Sequence, residues 1–426
     1  MPSREEQMQA VFLIPCLLTG GTEVATLEMA VALQSLGHAP EVIVYFDEVD
    51  PAMLEAFNAA GVVVHLLGVK RGEGVRTQWA LARGLLRALR RTRYDAIWLQ
   101  YMTPTALPLA VTRLFTRNLI ATVHVAASHY SPAGRRRLRW LARHWCDRFV
   151  CVSHTVAEGI FGPADAAARA GGRIAVIPNA LDMAAVRVAA ARDWRTEAGW
   201  PPETIVLGFT GRLAHIKGVD VLLHSVARLH SQGLPVRLVI VGEGAEQADL
   251  EALAVQLGIG AITHFSGRLP RSAIYGAIKG FDIAVVPSRE EGFGLSALEA
   301  MAAGVPVVAS RADALQEVVE EGATGLLCQV DDPQSMADAL ARLVADAELR
   351  TQMGAVGAAH AESLYDAPAY RARLGTLMEN LVRPPALAAH RAFRGSEIIG
   401  APRPGAAHDV LDSVPEPTGR PKKQTI

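Results

Sequence analysis

Val285-Val286-Pro287-Ser288-Arg289-Glu290-Glu291-Gly292-Phe293-Gly294-Leu295-Ser296-Ala297-Leu298-Glu299-Ala300-Met301-Ala302-Ala303-Gly304-Val305-Pro306-Val307-Val308-Ala309 is the stretch that decides how this chain folds. An apolar run stops at Pro287, a polar loop with Gly292 and Gly294 follows, residues 295–303 are rich in leucine and alanine, and residues 305–309 are apolar again. Buried strand, tight loop, helix and second buried strand form the unit from which parallel sheets are built. The glycines remove the Cβ atoms that would keep a ligand from the loop backbone. A helix starting at Leu295 aims free N–H groups and a partial positive charge at that loop, which suits a diphosphate. Glu291 in the loop and Glu299 two turns on are carboxylates able to accept hydrogen bonds from vicinal hydroxyls of a sugar and of a ribose.

The same rhythm runs outward in both directions. Residues 11–17, 39–45, 62–67, 96–100, 119–124, 149–153 and 174–177 read as strands, with amphipathic helices such as 23–36 and 77–91 between them. An Ala/Arg-rich stretch and Trp200-Pro201-Pro202 interrupt the pattern over residues 184–202. Strands restart at 205–210, 236–241, 262–265, 283–287, 305–309 and 325–328. The expectation is an α/β chain of two Rossmann-like domains, residues 1–188 and 194–364, whose parallel sheets bind a ligand at the carboxyl ends of their strands. A helix at 368–382 follows. Residues 384–426 hold seven prolines and few large apolar side chains, and are expected to be disordered.

Composition narrows the function. A chain of 426 residues, half of them apolar, has enough material for two cores. A formal net charge of −1 argues against a nucleic-acid binder. Cys16, Cys146, Cys151 and Cys328 show neither disulfide nor zinc spacing, as in a reduced, cytoplasmic protein. The apolar residues 11–18 are broken by Pro15 and read as a first strand, not a signal peptide, and no apolar run is long enough to span a bilayer. Residues 135–145 interleave arginines with Trp140 and Trp145, and two readings stand side by side. One is a basic aromatic face resting on anionic lipid at the inner side of a membrane; the other is a solvated face with both tryptophans packed inward.

Further candidates lie at strand ends. In Gly208-Phe209-Thr210-Gly211-Arg212-Leu213-Ala214-His215-Ile216-Lys217-Gly218, Arg212 and Lys217 supply two cations where a ligand would lie. Gly20-Gly21-Thr22-Glu23 follows the first strand, with Thr22 expected as a helix N-cap. His124 ends the strand at 119–124 and is either a packed scaffold residue or a catalyst, with His129 as the fallback candidate. Asp282 precedes the strand at 283–287, could cap or orient the loop, and is left out of the site. Glu243 in Val241-Gly242-Glu243-Gly244, and Arg268-Leu269, are candidates to approach a nucleoside. No Asp-x-Asp occurs, so no metal site is expected and the counter-charge falls to arginine and lysine.

Glu291 and Glu299, with seven residues between them, and the flanking Pro287-Ser288 and residues 298–309 resemble the paired-glutamate motif of the retaining glycosyltransferases of family four. The element with Arg212 and Lys217, about eighty residues upstream, resembles that family's arginine-and-lysine motif. The resemblance covers about residues 11–382. It implies the GT-B fold, with residues 368–382 returning to the first domain. It also implies transfer of a hexose, with retention, from a UDP- or GDP-sugar to a glycan or lipid-linked saccharide, without a metal cofactor. By the same resemblance Arg212, Lys217, Glu291 and His124 are catalytic. Gly20, Gly21, Glu243, Arg268, Leu269, Phe293, Gly294, Leu295 and Glu299 then face the donor. Family members commonly carry glycine after the histidine, where this chain has Val125. Two other functions fit the same scaffold. A nucleotide-sugar epimerase is disfavoured by the Gly20–Glu23 and paired-glutamate patterns. A non-catalytic nucleotide-sugar-binding partner is disfavoured because Arg212, Lys217, Glu291 and Glu299 are all present.

Overall fold

The computed structural model describes residues 7–18, 20–72, 74–100, 102, 107–162 and 173–382. Residues 384–426, the expected disordered tail, lie outside the described residues.

The first sheet contains β1 (Gln9–Ile14), β2 (Ala39–Phe46), β3 (Val63–Val69), β4 (Ala96–Leu99), β5 (Leu119–Val123), β6 (Arg148–Cys151) and β7 (Ile174–Val176), all parallel, in the order β3-β2-β1-β4-β5-β6-β7. Every residue of β4 and β5 is buried, which requires cover on both faces of the sheet. Alternate residues serve opposite faces. Phe12, Ile14, Val42 and Val44 join the core beneath α1 (Gly21–Ser35) and α2 (Pro51–Ala59). Val11, Leu13, Ile43 and Tyr45 join the core beneath α3 (Val75–Leu89), α4 (Leu107–Thr112), α5 (Pro132–His144) and α6 (His154–Phe161).

The second sheet is β8 (Ile205–Thr210), β9 (Val236–Val241), β10 (Thr263–Gly267), β11 (Ile283–Val286), β12 (Val307–Ser310) and β13 (Gly325–Cys328), parallel, in the order β10-β9-β8-β11-β12-β13. In each sheet the strand order reverses beside the domain's first strand, at β1/β4 and at β8/β11. Loops leaving such a switch point diverge and open a crevice at the carboxyl edge. The loops after β1, β8 and β11 are those that carry the Gly20-Gly21, Arg212/Lys217 and Glu291 motifs. Asp282 works at the opposite end of β11: its carboxylate accepts from Val206 N at 2.6 Å and pairs with Arg195, tying β8 to β11. It does not orient the glutamate loop.

The last helix, Ala367–Val382, follows the second domain in sequence but packs on the first. Tyr370, Leu374, Leu377 and Met378 form one apolar stripe, buried with Met29 and Leu33 of α1. Arg148 at the start of β6 donates to Asn380 O at 2.8 Å. The crossing is closed where Leu181 N donates to Tyr365 O at 3.1 Å, so the outgoing and returning chains run side by side.

Candidate active site

The helix Leu295–Ala302 begins immediately after Gly294, whose φ of 101° turns the loop sharply into it. Lys217 Nζ lies 2.6 Å from Glu291 Oε2 although the two are 74 residues apart in sequence. Ser288 Oγ donates to the same oxygen at 3.3 Å, and Glu291 N donates to Asp313 Oδ2 at 3.2 Å. Lys217 reaches this point through the short turn His215–Lys217, which ends on Gly218 with φ 65°. A Cβ at Gly218 would stand 2.1 Å from Pro287 O, so only glycine lets the β8 loop press onto the β11 loop.

Across the cleft stands His124, directly after β5. Gln100 donates its amide to Met29 Sδ at 3.2 Å, which turns its oxygen toward His124 Nε2 at 3.0 Å. Nε2 therefore carries the proton, and Nδ1 is left as a buried acceptor with no partner. Burial pushes the imidazole pKa down to about 3. His124 is thus neutral at physiological pH and can accept a hydrogen bond from a sugar hydroxyl. Because this pKa lies below the ordinary 6.5, protonation favours the unfolded chain. The stabilisation is complete above about pH 6.5 and is lost as pH falls toward 3. From about pH 8 to about pH 5 the loss amounts to roughly 2 kcal/mol. His124→Asn should flatten that limb of the melting-temperature profile, and an unchanged profile would contradict the burial of a neutral imidazole here.

Two features of the glycine loop depend on the folded chain. The glycine loop was expected to admit a ligand to its backbone. At Gly292, however, the chain that approaches is the first domain itself: a Cβ there would be 2.1 Å from His124 O. The Phe293 side chain turns away from the cleft into the second-domain core, edge-on to Tyr365 at 5.7 Å, so only its backbone borders the loop. Beside this contact Ser153 Oγ donates to Gly292 O at 2.9 Å. Glu317 of the second domain accepts from His154 N at 2.9 Å and from Thr155 N, capping α6 from across the cleft. The domains are closed onto each other at the candidate site.

The loop after β1 completes the opposite wall. α1 starts at Gly21 with Gly20 extended in the cap position, so Thr22 sits in the first turn and does not cap it. Glu23 folds back over Gly20 and accepts from Cys16 Sγ at 3.6 Å. Burial raises the Glu23 pKa, and the charge of Arg212, exposed after β8, opposes the rise from the second domain. A Cβ built on Gly21 would stand 3.4 Å from Leu295 Cδ1, so the two loops are already in contact there. Gly20, Gly21 and His124 therefore face Arg212, Lys217, Glu291 and the helix start at Leu295.

Glu299 lies about one turn into the helix Leu295–Ala302 and is ion-paired to Arg271, which also donates to Tyr275 Oη at 2.9 Å. Burial weighs against the guanidinium charge, but Glu299, Tyr275 and, from the first domain, Glu28 outweigh it and raise its pKa. Arg271 was not among the sequence candidates. A lone arginine at a helix start carries no pattern, and only folding brings it to a residue 28 positions away. Arg268 pairs with Asp50 of the first domain and stands 3.5 Å from Glu243, so these two candidates lie together at the cleft edge. Leu269 packs against the second-domain core. His129 is separate from His124, at the exposed rim, 3.9 Å from Glu290. Among the described residues no three His, Cys, Asp or Glu side chains are grouped to hold a metal ion.

Two Rossmann-like domains of parallel sheets facing each other across a cleft are the architecture of the GT-B class of glycosyltransferase folds. Solved structures agree. The Anabaena protein HepE, in complex with UDP and glucose, matches with a TM-score of 0.73 at 21% identity over 88% of this chain and 100% of its own. Sucrose-phosphate synthase from Thermosynechococcus elongatus matches with 0.72 at 20% identity over 88% and 99%. The family model "Glycosyltransferase Family 4" matches residues 19–185, and "Glycosyl transferases group 1" matches residues 191–360. The D-inositol 3-phosphate glycosyltransferase of Paenarthrobacter aurescens is 30% identical over 64% of this chain and 69% of its own. The chain belongs to the family-four, group 1 glycosyltransferases. Its match to the Corynebacterium jeikeium enzyme of the same name is 42% identical and spans 39% of this chain and 42% of that relative's length.

Proposed function

We propose that this protein is a metal-independent retaining hexosyltransferase that uses a UDP- or GDP-sugar and a glycan or lipid-linked saccharide acceptor. The observation that carries this reading is the Lys217–Glu291 pair, 2.6 Å apart, beside the N-terminus of the helix Leu295–Ala302 and opposite His124. Lys217, Arg212 and the helix amides stabilise charge growing on the departing diphosphate. Glu291 accepts from hydroxyls of the transferred sugar, His124 Nδ1 accepts from the opposite side, and Glu299 with Arg271 holds the ribose. The leaving phosphate oxygen takes the acceptor proton, so attack comes from the face the phosphate leaves. The base and hexose of the donor are set by side chains outside these motifs.

Two measurements test this. Activity should persist in excess EDTA, since the cations supply what a divalent ion would give the leaving group. An α-linked donor should give an α-linked product, seen in the anomeric coupling of fresh product by NMR. Loss in EDTA restored by Mg²⁺ or Mn²⁺ would refute metal independence, and a β-linked product would refute retention. The name shared by the curated relatives favours a second acceptor, D-inositol 3-phosphate. Offering it beside saccharide acceptors with each donor separates the two.

A further inference from the structure

The charge of this chain is unevenly distributed. Residues 75–146 contain thirteen arginines, no lysine and one carboxylate, Asp95, within a chain of net charge −1. Folding gathers this excess on one side. α3 buries Leu81, Leu85 and Leu89, and α5 buries Leu138 and Leu141, in the same core against the same face of the first sheet. Their backs therefore point outward together, with α4 between them in sequence. On α3 the exposed back carries Arg76, Trp79, Arg83 and Arg87; on α5 it carries Arg136, Arg137 and Trp140. Trp79 is 73% exposed and Trp140 52%, which ends the expectation that Trp140 packs inward. Trp140 instead leans on His144 and on the half-buried Trp145, with ring centroids 5.3 and 6.4 Å away. Val75 at the start of α3 and Leu114 just after α4 are 72% and 75% exposed. Where α3 ends, Leu89, Leu114 and Phe115 floor a groove of about 320 Å³ rimmed by Arg90 and Arg93.

We propose that this face docks the protein on an anionic lipid bilayer. Dispersed arginines complement a negatively charged headgroup layer, and exposed tryptophans settle at the boundary between headgroup and hydrocarbon. Aliphatic tips at Val75 and Leu114 fit hydrocarbon, whereas a nucleic acid would offer them no stacking partner. No helix among the described residues is long and apolar enough to cross a membrane, so the contact is peripheral.

Co-sedimentation of the full chain with vesicles tests the proposal without a donor, acceptor or turnover. The protein should bind vesicles of phosphatidylcholine with phosphatidylglycerol, fail to bind phosphatidylcholine alone, and dissociate as salt is raised. The variant Arg83→Glu/Arg87→Glu/Arg136→Glu/Arg137→Glu should lose at least about tenfold in partitioning while keeping its melting temperature, since all four side chains are exposed. Trp79→Ser/Trp140→Ser should weaken binding severalfold and leave the salt dependence in place. Absence of binding to anionic vesicles, equal binding to neutral ones, or undiminished binding by the arginine variant would overturn the proposal. So would retention of a duplex oligonucleotide by a protein that ignores the vesicles.

Discussion

Lys217→Ala should lower kcat by about two orders of magnitude or more, the scale of losing one preorganised group that stabilises transition-state charge. The expectation rests on where the ammonium sits. Nζ is 2.6 Å from Glu291 Oε2 in a site where the two side chains are 20% and 15% exposed, so water screens the pair only partly. Its removal takes a cation from the leaving phosphate and leaves a half-buried carboxylate without its counter-ion. Arg212→Ala should approach the same loss with less disturbance of the ground state, because that side chain is exposed after β8. Steady-state kinetics on both variants, with thermal melts as the folding control, provide the check. Wild-type turnover in either would remove that cation from the phosphate assignment.

Gly292→Ala is expected to be nearly as damaging for a purely steric reason. The new Cβ would need space 2.1 Å from His124 O and 3.1 Å from Val125 C, both backbone atoms with no rotamer to yield. The domains must separate locally, stretching the Ser153 Oγ to Gly292 O hydrogen bond of 2.9 Å and drawing Glu317 away from the start of α6. A misplacement of about 1 Å between reacting groups can cost a hundredfold in rate. kcat should therefore fall by about that factor, while nucleotide affinity, which the proposed function assigns mainly to the second domain, changes only a few-fold. Calorimetry with UDP and GDP beside the kinetics tells these apart. Turnover within twofold of wild type would mean that closure at Gly292 is not needed for chemistry.

Some of this was legible before folding because neighbouring residues encode it. Residues 285–309 announce strand, loop, helix and strand by apolar runs and glycines, and β11, the helix Leu295–Ala302 and β12 appear there. Other features depended on which surfaces meet. Thr22 looked like a cap, yet the chain enters α1 two residues earlier, with Gly20 extended in the cap position. Gly292 looked like room for a ligand and is room for His124. Phe293 sits in a ligand-facing motif, but a large apolar ring beside Tyr365 is more stable in the core than in a polar cleft.

By itself the sequence determined the α/β alternation, the order of the motifs along it and the side-chain types offered at each strand end, because periodicity, glycine placement and charge are local properties. The tertiary structure alone decided that Lys217 reaches Glu291, that Arg271 holds Glu299 and that His124 is left with one unpartnered buried nitrogen. It also decided that the helix Ala367–Val382 closes the first domain and that the backs of α3 and α5 turn their arginines outward together. Each of these is set by two surfaces far apart in the chain competing to leave water, and no short window of sequence contains both.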